Sequence, residues 1–175
     1  MRKSLTIAAL PLFGTLTVLL LGADPAAQPA MADHNSIASS DSMMHKPVLS
    51  LADAHRAVEA AIAKAQSLNA GGAIADDGGY VLCVMRIDNT FPAASDVSMQ
   101  KARTAAIFRR PTQDFENAIR NGRTTLLGVN VMTPLEGGVP ITIDGVVVGA
   151  IGVSGAHSST EDVEIALAGA TAVSR

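Results

Sequence analysis

The sequence predicts an α+β protein, an antiparallel sheet of two hairpins covered by helices in the order α-β-β-α-α-β-β-α. Three observations predict it. Two apolar, β-branched runs flank Asp144-Gly145, a dipeptide suited to the positive φ angles of a type I′ hairpin turn. A second pair, Ala73–Ala75 and Tyr80–Ile87, flanks Asp76-Asp77-Gly78-Gly79. Four other stretches repeat apolar residues at helical spacing. Tight turns join only antiparallel neighbours, and helices on one or both faces then give a sandwich of layers.

Helix one is expected over 51–68. Ser50 with Asp53 forms a capping-box-like start, and Leu51, Ala54, Val58, Ala61, Ile62 and Ala65 make an apolar stripe. His55 is expected within that stripe. Asn69–Gly72 reads as a turn before the first hairpin. Helix two is expected over 96–109, capped by Ser95-Asp96. Pro111 ends it, and Thr112 is placed to cap a short third helix that stops at Gly122. Residues 123–138 read as a partly buried loop with room for a short strand. In the second hairpin, 146–154 is nearly all apolar and is expected to be a central strand buried on both faces. Gly149 and Gly152 within it invite close packing more than ligand contact. The last helix starts at Ser159 with Asp162, on the stripe Val163, Ala166, Leu167, Ala170 and Val173.

The chain has 175 residues, 48% of them hydrophobic, enough for one domain with a sizeable core. A net charge of −3, no Trp and one Tyr argue against a nucleic-acid partner, which needs a basic face and stacking rings. The single cysteine, Cys83, has no internal partner and reads as a small buried residue of a strand.

The N-terminus is read as a secretory signal peptide, residues 1–32. Arg2-Lys3 is followed by the uncharged apolar run Leu5–Leu21, and Ala30-Met31-Ala32 supplies small residues for cleavage near Ala32. The run is short for a spanning helix of about 20 residues, and Pro11 interrupts it. The expected location is secreted or periplasmic. Loss of Arg2, Lys3 and Asp24 leaves 11 basic and 15 acidic side chains, a net −4. Residues 33–48 read as a flexible leader; its His34, Met43, Met44 and His45 are a weak pattern for a metal. The folded domain is expected over 49–175.

The chemistry-bearing residues gather around the end of helix two. Lys101 and Arg103 fall near its edges, and Arg109, Arg110 and Thr112 share the corner with helix three. Such a cationic corner suits carboxylates or other anions. His157 lies on a loop ahead of the last helix. No nucleophile–base pair or metal-ligand cluster is evident, so no catalytic residue is assigned.

Four segments carry a resemblance. They are Leu49-Ser50-Leu51 with its alanine-rich helix; Ile74-Ala75-Asp76 with Arg86-Ile87-Asp88; Lys101-Ala102 with Thr104-Ala105; and Gly137-Gly138-Val139-Pro140 through Gly149-Ala150-Ile151-Gly152-Val153-Ser154-Gly155, followed by Glu161-Asp162. Over 49–173 the chain resembles the GlcG/HbpS-like haem-binding proteins, which include the C-terminal domain of PduO-type corrinoid adenosyltransferases. The resemblance implies a profilin-like sandwich assembled into homo-oligomers, often octamers. It implies haem, taken as haem b, and a role in sequestering or sensing haem and iron, with a membrane sensor protein as candidate partner. It points to Thr112, following Pro111, as one candidate iron ligand, and to His55 on helix one as another. Lys101, Arg103, Arg109 and Arg110 are then candidates for the haem propionates. Two rival readings stand beside this one. One is a lyase, isomerase or haem-degrading enzyme acting through Asp76, Arg86 and Lys101. The other is a ligand-free oligomeric interaction module.

Overall fold

The computed structural model describes residues 45–65 and 70–174. The expected signal peptide and cleavage point, His34 and the expected leader before His45 lie outside the described residues. The elements are α1 (Leu51–Ala65), β1 (Gly71–Asp76), β2 (Val81–Arg86), α2 (Ala94–Phe108), α3 (Thr112–Arg120), a 3-10 helix (Thr124–Gly128), β3 (Gly138–Ile143), β4 (Val146–Ser154) and α4 (Ser159–Thr171). The order is the expected α-β-β-α-α-β-β-α, and the fold is the expected α+β, profilin-like sandwich. The four strands form one antiparallel sheet in the order β2-β1-β4-β3.

Turn chemistry sets the second hairpin. Asp144 and Gly145 both have positive φ, 49° and 77°, as a type I′ turn requires. β4 is central, and every residue from Val148 to Ser154 is buried. Alternation along it splits the core. Ile151 and Val153 join Ala57, Val58, Ala61, Ile165 and Ala166 under α1 and α4. Ala150 joins Ala105 and Ala106 under α2 on the opposite face. Gly152 explains how α2 lies so close, since a Cβ there would sit 2.0 Å from the Ser98 carbonyl oxygen and 2.4 Å from the Ala102 nitrogen. The strand glycines therefore serve packing, as expected.

Several local expectations are corrected. His55 and Leu51 are exposed; the buried stripe of α1 is Ala54, Ala57, Val58, Ala61 and Ala65, one position away from His55 around the helix. Gly71 and Gly72 belong to β1, where Gly72 lets Val58 approach the sheet. α2 starts at Ala94 after Ala93, without a side-chain cap, so Ser95-Asp96 lies inside its first turn. Thr112 is the first residue of α3, not its cap, because its hydroxyl is used across the molecule. The room for a strand in 123–138 is taken by the 3-10 helix, whose Thr-Thr-Leu-Leu-Gly sequence does not alternate. α4 is capped by Ser158, which accepts from the Glu161 N–H, and it buries Ile165 and Gly169 while Leu167 stays exposed. Cys83 is only half-buried, and burial with the nearby Glu59 charge raises its thiol pKa.

Candidate functional site

The site is built around one buried cation. Lys101 enters from the middle of α2 and is 3% exposed. Its Nζ donates to Asp162 Oδ2 and to the Val153 carbonyl, both at 2.8 Å. Asp162 stands in the first turn of α4, 6% exposed, and its Oδ1 accepts from the Ala156 N–H at 3.1 Å. The pair thus ties α2, β4 and the β4–α4 loop together. Burial raises the Asp162 pKa, and this outweighs the hydrogen bond and attraction of Lys101.

Gly137-Gly138 makes room for this arrangement. A Cβ at Gly137, where φ is 112°, would lie 2.9 Å from Lys101 Nζ and 2.7 Å from the Val153 oxygen. A Cβ at Gly138 would lie 2.5 Å from the Lys101 carbonyl oxygen and 2.6 Å from Thr112 Cγ2. Thr112 is wholly buried, and its Oγ1 accepts from the Gly138 N–H at 2.9 Å. The second hairpin is therefore more than scaffold, for its first two glycines seat both Lys101 and Thr112.

A cavity of about 390 Å³ opens over the ion pair. Lys101, Asp162 and Ser154 reach its floor, and Glu116, Glu136 and His157 line its sides. Glu116 Oε1 is 2.5 Å from Arg120, and Glu116 Oε2 accepts from the Glu136 N–H at 2.7 Å. Phe91, Val97 and Leu135 supply its apolar surface.

The other expected site residues are scattered. Arg109 and Arg110 do form the corner between α2 and α3. Arg109 ends α2 in the left-handed conformation, φ 55° and ψ 37°. Arg110 pairs with Asp114 at 3.1 Å and lies over the Phe115 ring at 4.8 Å. Lys101 is eight residues earlier on the helix, about 12 Å along its axis, and its charge is already balanced by Asp162. Arg103 is exposed and donates to the Gly79 carbonyl at 3.3 Å. His55 is on α1, across the sheet from α2 and Thr112, so the two candidate iron ligands cannot meet at one iron within a chain. His55 is exposed, and its ring makes no hydrogen bond or ion pair among the described residues.

Asp76, Arg86 and Lys101 are not brought together either. Arg86 pairs in register with Gly71, at the opposite end of β1 from Asp76, about 17 Å away at strand rise. Asp76 Oδ1 is occupied by the N–H groups of Gly78 and Tyr80, both at 2.9 Å, and so builds the hairpin turn. The functional partner that sequence reasoning missed is Asp162, assigned there only to helix capping. The signal was available: Asp162 lies seven residues beyond the Gly155 end of the hairpin, and a lysine amid alanines that bury against a sheet requires a carboxylate.

The layered fold, the double glycine and the buried Lys–Asp pair define a class of small α+β sandwich domain. The family model described as "Haem degrading protein HbpS-like" matches residues 49–171, and the chain belongs to this HbpS-like family. Among curated proteins it is 49% identical to Protein GlcG of Escherichia coli K12 over 82 residues, 47% of this chain and 61% of GlcG. The chain thus spans about three fifths of the GlcG length. It is 33% identical over 114 residues to an uncharacterized 15.0 kDa protein of Citrobacter freundii, covering 61% of this chain and 80% of that protein. Among solved structures, a double mutant of Streptomyces reticuli HbpS is similar with a TM-score of 0.71 at 30% identity, covering 86% of this chain and all of that one. The PduOC:heme complex is similar in fold, with a TM-score of 0.67 at 24% identity, covering 73% of this chain and 96% of that one.

Proposed function

We propose that this chain is an exported haem-binding protein that sequesters or senses haem and iron. Membership of the HbpS-like family supports haem as the ligand. The observation that carries the site is His55: an exposed imidazole without a partner among the described residues, four residues from exposed Leu51 on the same face of α1, with exposed Val48 nearby. Imidazole is a strong axial ligand for haem iron, and a hydroxyl is a weak one. Thr112 is moreover buried with its hydroxyl engaged. His55 therefore fits the iron better than Thr112 does. Export rests on the 1–32 segment with its charged start, apolar run and small residues before Asp33.

Hemin titration of residues 33–175, followed by the Soret band, tests this reading. A saturable shift at micromolar protein is expected, abolished by His55→Ala and retained by Thr112→Ser. No saturable shift rejects haem. A shift unchanged in His55→Ala rejects His55 as the ligand. Intact-mass measurement after expression in a bacterium should show a processed chain starting at Asp33; an unprocessed exported chain would reject the signal-peptide reading.

A further inference from the structure

We propose that the cavity over the Lys101–Asp162 pair binds a small neutral polyol, at a site separate from the haem surface on α1. Three polar groups on the cavity have capacity to spare. An ammonium carries three donors, and the Lys101 hydrogen bonds to Val153 and Asp162 use two. Ser154 is only 5% exposed, yet its hydroxyl bonds to no described residue. Since no fully buried side-chain polar atom lacks a partner among the described residues, that hydroxyl opens into the cavity its residue lines. Glu136 is also 5% exposed and meets Arg120 only through Oε1, at 3.5 Å, so Oε2 is left as an acceptor.

The distribution of charge selects the ligand. A carboxylate would face Asp162, Glu116 and Glu136 at close quarters. An ammonium would find Asp162 already paired with Lys101 and Glu116 and Glu136 already paired with Arg120, and would face the Lys101 charge and the positive N-terminal end of α4. A hydroxyl meets neither penalty: it accepts from Lys101 or Ser154 and donates to Asp162 or Glu136. Several hydroxyls on one short carbon chain use all of these groups. Phe91 and Leu135, 49% and 46% exposed, then provide apolar cover for the C–H faces. The cavity volume, about 390 Å³, lies at the small end of ligand pockets, about 300–1,000 Å³.

Ligand-observed NMR and calorimetry on residues 33–175 test the proposal, with glycerol, erythritol and xylitol as probes and lactate and ethanolamine as charged controls. Saturable binding of at least one polyol is expected, with both charged controls at least about tenfold weaker. Ser154→Ala and Glu136→Ala each remove one ligand hydrogen bond and should weaken polyol binding about tenfold, with the folded far-UV spectrum retained. Absence of saturable polyol binding, tighter binding of either charged control, or unchanged affinity in both variants overturns the proposal. Hemin binding is read separately at the Soret band, so failure of this site and failure of the haem reading are distinguishable.

Discussion

Lys101 and Asp162 meet at 2.8 Å where both side chains are almost withdrawn from water. Desolvation of the two charges offsets much of their attraction, but removal of one partner leaves the other buried and unpaired, which costs about 3–5 kcal/mol. Asp162→Asn and Lys101→Met should each lower stability by about 3 kcal/mol or more in urea unfolding, whereas Lys101→Met with Asp162→Leu should recover most of the loss. A single-variant loss below about 1 kcal/mol would show that the pair is not held in solution. The pH dependence follows from the direction of the shift. Folded Asp162 holds its proton more tightly than the unfolded chain does, so its share of stability is full below the ordinary aspartate value and falls as pH rises through the raised one. Thermal melts should therefore show a component that decreases with pH just above about pH 4 and disappears in Asp162→Asn. The residue types at this site were legible in the sequence; their pairing was not. Lys101 and Asp162 are 61 positions apart, and only the packing of α2 against β4 and α4 reveals that one neutralises the other. Arg109 differs, because its φ of 55° strains a side-chain-bearing residue. Arg109→Gly should raise stability by up to about 1 kcal/mol. If Arg109 holds a haem propionate, the same variant should also weaken hemin binding, so the two measurements move in opposite directions.

Helix starts and hairpins show which local signals survive tertiary packing. The Ser50–Asp53 start of α1 formed as its sequence predicts: Ser50 Oγ accepts from the Asp53 N–H at 3.1 Å and donates to the Asp53 carboxylate at 2.7 Å. That hydroxyl is the main cause of the lowered Asp53 pKa, with Arg56 assisting. Ser50→Ala should cost about 1 kcal/mol. The part owed to the Asp53 charge should be present above the ordinary aspartate value and lost as pH falls through the lowered one; equal losses at pH 7 and pH 2 would contradict this. The Ser95-Asp96 pair has similar chemistry but caps nothing, because α2 starts two residues earlier than expected and buries Ala94. Helix phase was the harder property. α1 and α4 contain so many alanines that more than one stripe fits the 3.6-residue period, and the choice depends on which face the sheet's Ile151 and Val153 meet. The hairpin turns carried their own punctuation and were legible, although β1 begins at Gly71, inside a stretch that reads as a turn. Within β4, Gly152→Ala should destabilise by about 1–3 kcal/mol, the cost of overpacking, because the new methyl would collide with the α2 backbone. Gly128, with nothing within 4 Å of a Cβ, should accept alanine with little change.

At the scale of the whole molecule, the candidate haem groups face apart. His55 lies on the outer side of α1, and Arg109 and Arg110 lie at the end of α2 across the sheet. If His55 binds the iron, one chain can offer the porphyrin that imidazole or this cationic corner, but not both at one haem. A homo-oligomer resolves the separation if His55 of one subunit faces the α2–α3 corner of another. The unpaired edges of β2 and β3 and the exposed Tyr80, Val81 and Val84 are surfaces that such an assembly could cover. On this reading haem affinity depends on assembly. Dilution should weaken hemin binding in step with the loss of oligomer measured by light scattering. Arg109→Ala with Arg110→Ala should weaken it further in the oligomer while leaving any residual monomer binding unchanged. The decisive measurement mixes two deficient chains, His55→Ala and the Arg109/Arg110 double variant. If each haem uses His55 from one subunit and the arginines from another, mixed oligomers contain some sites with both parts intact and should regain part of the Soret shift that His55→Ala alone lacks, at an affinity above that of the double variant alone. If every haem is bound within one chain, the mixture should equal the average of its components, and the shared-site reading fails.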